Sequence, residues 1–183
     1  MSRRRRSTLG KALGDLLNDR SVGGLTVYAA HVGCHRSSLS RALCDPHRRG
    51  NGLVECVCAL LWALREEGQR PRALLDQPFP SERLVAAGVT GETDVARAFA
   101  FLFPEGHEAV VAARLRMSKD GLRRAVALPE GRVYPHLRII AQLLINLRDL
   151  GYDPLISLSL RIPPDFDQDQ PAGECDGRLS LAV

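Results

Sequence analysis

Lysine is almost missing from this chain: of 25 basic residues only Lys11 and Lys119 are lysines, so arginine carries nearly all the positive charge. Aromatic residues are also scarce, at 5% with a single Trp, which argues against the stacking platforms that hold bases in single-strand and many RNA binders. No run approaches the roughly 20 apolar residues of a membrane-crossing helix. The basic start is not followed by an apolar stretch of signal-peptide length, because Gly10, Lys11, Gly14 and Asp15 interrupt it. A cytosolic protein with no membrane partner is expected.

The cysteines, Cys34, Cys44, Cys56, Cys58 and Cys175, are odd in number and contain no C-x-x-C pair, which disfavours a disulfide framework or a zinc ribbon. His31, Cys34, His35, Cys44 and His47 lie close in sequence but match no common zinc spacing. Buried thiols and surface histidines are expected there, with no metal and no cofactor. The chain also lacks a phosphate-cradling glycine loop, an H-E-x-x-H pair and a Ser-His-acid set, so no enzyme is expected.

What the chain does have is enough apolar surface for a packed core: 45% of it is hydrophobic and 25% charged. The net charge of +4 is matched by Arg3, Arg4, Arg5 and Arg6 alone, so any nucleic-acid argument rests on local clusters. The chain also repeats itself. Laid over Ala109 to Pro154 without a gap, Thr26 to Pro71 gives identical pairs that include Ala29/Ala112, Ala30/Ala113, Leu39/Leu122, Arg41/Arg124, Ala42/Ala125, Leu60/Leu143, Leu64/Leu147 and Gly68/Gly151, all 83 residues apart.

Leu9, Ala12, Leu13, Leu16 and Leu17 form one helical face. The same offset carries it to Ala96, Phe99, Ala100 and Phe103. The periodicity predicts helices over 8–18, 25–32, 36–44 and 52–67, and over 92–103, 107–115, 118–127 and 135–149. Asn51 and Ser118 are expected as N-caps, and Gly68 and Gly151 as helix stops. The expected organisation is a basic arm (1–6), an N-terminal unit (7–71), a linker with a short helix at Ser81 to Ala87 (72–89), a second unit (90–154) and a C-terminal arm and acidic tail (155–183). Within the last segment, LISLSLRI (155–162) alternates apolar and polar residues and reads as a strand or a packed arm.

Residues 25–44, LTVYAAHVGCHRSSLSRALC, place small Ala29 fifth, Gly33 ninth, Leu39 fifteenth and Ala42 eighteenth, with Val32 and Leu43 completing an apolar face. The fifth residue is small where a second helix crosses it, and glycine suits a tight left-handed turn. This segment resembles the helix-turn-helix of the lambda-repressor/Cro superfamily. The resemblance implies an all-α fold of two tandem units of four to five helices each. It also implies major-groove contacts from His35, Arg36, Ser37, Ser40 and Arg41, and phosphate contacts from Arg48 and Arg49.

The second copy, 108–127, keeps Ala112, Leu122 and Ala125 but has Arg116 in place of Gly33, and its segment 117–125 resembles antitoxin-type repressors of the same superfamily. Arg114, Arg116, Ser118, Lys119, Arg123, Arg124 and Arg132 are its expected DNA contacts. The implied protein is a transcriptional repressor or regulator of the bacterial nucleoid that binds double-stranded DNA, as a homodimer or as an intrachain pseudo-dimer. The alternative is an interaction module such as an antitoxin or a replication or partition accessory. Ser2 to Arg6 read as a minor-groove arm or a cationic tail, and 163–177 as an acidic, Pro-rich disordered tail.

Overall fold

The computed structural model describes residues 8–18, 23–44, 51–128 and 135–162, and among them there are helices and no strand. The helices are α1 (Thr8–Leu16), α2 (Gly24–His31), α3 (Arg36–Leu43), α4 (Asn51–Glu66), α5 (Pro71–Asp76), α6 (Ser81–Ala86), α7 (Asp94–Leu102), α8 (Glu108–Arg114), α9 (Lys119–Ala127), α10 (Pro135–Asp149) and α11 (Pro154–Ser157). None is long and apolar enough to cross a membrane. Arg48, Arg49, Arg132, the arm 2–6, the tail 163–177, His47 and the side chain of Asn51 lie outside the described residues.

Two long helices are apolar around most of their circumference. On α4, Leu53, Val54, Val57, Cys58, Leu60, Leu61 and Leu64 are buried, and on α10 so are Leu137, Ile140, Leu143, Leu144 and Leu147. A helix with so wide an apolar surface has to be covered on several sides. Accordingly α4 and α10 pack on each other, α1 covers α4, and α7 covers α10. The buried side chains form one cluster that runs from Leu13 to Leu158, so the two expected units share a core.

The repeat continues through the fold in the order of its elements: α7 packs on α10, α8 on α9 and α10 on α11, as α1 does on α4, α2 on α3 and α4 on α5, whereas the close packing of α1 on α2 is not repeated by α7 on α8. From α2 onward the offset of 83 holds, but α1 maps onto α7 at 86. The buried apolar residues of α7 are Val95, Ala98, Phe99 and Leu102, the counterparts at 86 of Leu9, Ala12, Leu13 and Leu16. This corrects the expected face: Ala100 is exposed and Ala96 half-buried, because the α7–α8 connection (103–107) is shorter than its α1–α2 counterpart (17–23).

The expected linker is also more structured than its sequence suggests. Pro71 opens α5 at its first position, where a missing N–H costs nothing, and α6 follows from Ser81. Arg83 of α6 makes a two-pronged bond to Asp149 at the end of α10, at 2.5 and 2.6 Å, which holds the Asp149 carboxyl below its usual pKa. The buried Gln142 amide donates to the carbonyls of Leu74 and Gln77, at 2.9 and 3.0 Å. Residues 155–162 form a packed arm: the Asp153 side chain caps α11 by accepting from Ile156 N at 2.9 Å, and Leu158 is buried.

Two close contacts show how tightly α2 is held. A Cβ on Gly24 would lie 2.2 Å from the carbonyl oxygen of Gly14, so the start of α2 touches the backbone of α1. Tyr28, fully buried on α2, reaches across to α10, where its hydroxyl lies 2.8 Å from His136 Nδ1 and the two rings stack. With the imidazole neutral, the hydroxyl donates and Nδ1 accepts. Burial raises the Tyr28 pKa and lowers that of His136 below its ordinary 6.5.

Gly24→Ala is expected to lower unfolding free energy by about 2 kcal/mol or more in urea titration, since two backbones have to separate. For His136, the folded pKa is depressed, so as pH falls below 6.5 the unfolded chain takes up the proton first and stability declines. The stability advantage of the native chain over His136→Gln therefore shrinks on acidification from neutral pH; an advantage that stays flat refutes this role.

Candidate nucleic-acid interface

The corner between α2 and α3 is built from backbone upward. Gly33 stands at φ 66°; its N–H donates to Ala30 O at 3.1 Å, and Cys34 N–H donates to Ala29 O at 2.9 Å. These bonds close the end of α2 and turn the chain sharply. Ala29 is buried where the helices cross, and Leu39 and Leu43 seat the inner face of α3 in the core.

That seating decides what α3 shows outward. His35, Arg36, Ser37 and Arg41 are exposed and Ser40 is half-buried. No carboxylate lies in residues 35–44, and Arg36 makes no ion pair among the described residues. His35 has a local task as well: its side chain caps α3 by accepting from Ser37 N at 3.3 Å, and Nδ1 lies 2.8 Å from Ser37 Oγ. Arg41 Nε donates to Ser37 O at 3.3 Å, which leaves the outer guanidinium nitrogens toward solvent. The five expected side chains are therefore brought together on one short helix.

The corner between α8 and α9 repeats this backbone without the glycine. Arg116 takes φ 55°, the only positive φ at a non-glycine among the described residues. Its N–H donates to Ala113 O at 3.0 Å and Met117 N–H donates to Ala112 O at 2.8 Å, the counterparts of the Gly33 and Cys34 bonds. Ser118 is the N-cap expected for α9, accepting from Gly121 N at 3.0 Å, and Arg124 Nε donates to Asp120 O at 3.3 Å as Arg41 does to Ser37 O.

The side chains of the second corner are arranged differently. Arg116 pairs with Glu55 of α4 at 3.0 Å, and Lys119 pairs with Glu108 at 3.1 Å. Asp120 stands where the first copy has Ser37. Lys119 and Arg123 line a cleft beside α7, Arg114 is half-buried, and Arg123 and Arg124 are exposed. The cations expected to act together thus point to three places: α4, the cleft and open solvent. Exposed pairs of this kind are worth about 0–1 kcal/mol each, but they compensate charge that the first corner leaves bare.

Glu55 and Glu108 were not singled out from sequence. Glu108 opens α8 itself, whereas Glu55 meets Arg116 only because α4 of one copy lies against the second corner; no local spacing reports that. Among the described residues no group of three metal-ligating side chains comes together. No protein family, curated protein or solved structure matches the chain.

The two corners predict opposite responses to exchange at the ninth position. A Cβ at Gly33 would meet nothing within 4 Å, so Gly33→Ala carries only the left-handed strain, about 1 kcal/mol of lost unfolding free energy. Arg116→Gly relieves strain while losing an exposed ion pair, so its stability is expected within about 0.5 kcal/mol of the native chain or above it. Chemical denaturation measures both; a larger loss for Arg116→Gly than for Gly33→Ala contradicts the account.

Proposed function

We propose that this chain is a sequence-specific duplex DNA-binding protein, a transcriptional regulator of the repressor type acting at the nucleoid, and not an enzyme. It inserts α3 into the major groove, and the lambda-repressor-like helix-turn-helix is its reading unit. The observation that carries this reading is the α3 surface: a short helix locked by Leu39 and Leu43 that presents Arg36, Ser37 and Arg41 outward with no carboxylate among residues 35–44. Arginine reads guanine O6 and N7 there, and serine reads a base edge or a phosphate.

The second corner serves as the partner unit of an intrachain pseudo-dimer. Packing of α4 on its own counterpart α10 supports this, because like meeting like is the hallmark of a twofold interface. Since α9 carries Lys119, Asp120 and Arg123 where α3 carries Arg36, Ser37 and Ser40, the two half-sites differ in sequence. The ion pairs at Arg116 and Lys119 favour a second reading for this copy alone, as a scaffold that positions the first.

Selection of bound sequences from random duplex DNA is expected to enrich an asymmetric composite site with half-sites about one helical turn apart. Replacing Arg36 and Arg41 together with Ala is expected to weaken binding to that site by about 2 kcal/mol or more, roughly thirtyfold or beyond, with the fold intact. Unchanged affinity would reject α3 as the reading helix. A palindromic site would replace the pseudo-dimer with a homodimer, and no enrichment would favour the interaction-module alternative.

A further inference from the structure

The cleft beside α9 has a volume of about 460 Å³, within the range of small-ligand sites. Its floor is apolar: Phe99 and Phe103 come from α7 and its end, and Leu122 and Val126 from α9. Its rim carries four charges. Lys119 and Glu108 neutralise each other at 3.1 Å, which leaves Arg123 on α9 and Glu105 on the turn after α7, neither in an ion pair among the described residues.

One free cation and one free anion over an apolar floor define a complementary ligand: apolar in the middle, with one charge of each sign. A simple acid would meet Glu105 as an unmatched like charge, and a simple amine would meet Arg123 in the same way. We propose that this cleft binds a short apolar zwitterion of the dipeptide class, its carboxylate on Arg123 and its ammonium on Glu105. The wall opposite α9 is α7, whose connection to α8 is shorter than that of α1 to α2. In the first copy α1 packs closely on α2, but α7 does not on α8, so α7 and α8 stand in a relation that the first copy does not share. The site goes beyond the DNA-binding reading and is tested without DNA, so either stands or fails alone.

Calorimetric titration and thermal shift of the full chain with leucyl-phenylalanine, its N-acetyl form and its C-terminal amide test the assignment. The zwitterion is expected to raise the unfolding midpoint, and each blocked form to bind roughly fivefold more weakly, as the loss of one exposed ion pair of about 1 kcal/mol implies. Glu105→Gln is expected to weaken the zwitterion by a similar factor but to leave the N-acetyl form unchanged. Ala100 lines the mouth and is exposed, so Ala100→Trp fills it from the surface and is expected to abolish binding. Arg123→Gln supplies an independent variant, which should bind zwitterion and amide equally. Absence of any midpoint shift up to about 10 mM ligand, roughly ten times the dissociation constant of a weak 1 mM complex, would overturn the proposal. Equal affinity of the native chain for all three compounds would overturn it too, by reducing the site to an unselective apolar groove.

Discussion

The contact between α4 and α10 is the interaction on which the rest of this molecule depends. Neither helix can be solvated on more than a narrow strip, because leucine, valine and isoleucine occupy most of the circumference of each. Packed together they still leave flanks uncovered, and the amphipathic α1 and α7 close those flanks. Only then do the two corners acquire fixed positions, since α3 and α9 are seated by a few leucines and alanines each and are too short to be stable alone. Polar ties join the copies at both ends of this pair: Tyr28 with His136 and Arg116 with Glu55 near the starts of α4 and α10, and the Tyr152 hydroxyl with Glu67 just past their ends.

The corner itself is a backbone device, and its chemistry tolerates more than its sequence suggests. Two hydrogen bonds at the end of the first helix and a left-handed residue between them are enough to turn the chain. Glycine meets that requirement without strain. Arginine meets it at a cost of about 1–2 kcal/mol, which the flanking bonds and the buried Leu115 and Leu122 hold in place. The shared turn explains how the two corners keep one geometry while their surfaces diverge.

That divergence gives the copies different characters. Among the described residues Arg36 and Arg41 of α3 make no ion pair, whereas the α9 surface is compensated by Glu108, Asp120 and Glu55 and opens beside an apolar cleft. Such a change leaves one cationic face and one face with paired charges, on a common core.

Helical periodicity, cap residues and the 83-residue repeat are local properties, so the sequence alone determined the all-helical class, most helix bounds to within two residues, the stops at Gly68 and Gly151, the Ser118 cap and the outward set His35, Arg36, Ser37, Ser40 and Arg41. Only tertiary structure decided the remainder. The change of offset to 86 at α7 is marked in the sequence only by Ala12/Ala98 and Leu16/Leu102, too little to fix a register; burial of Val95 and Ala98 settles it. Strand or arm for residues 155–162 was decided by Asp153 capping a helix that Pro154 begins. The merging of two units into one core, the ion pairs of Arg116 and Lys119, and the cleft at Arg123 all join residues far apart in the chain or on separate elements. Contacts of that kind are set by how α4 meets α10, and no periodicity within either helix encodes them.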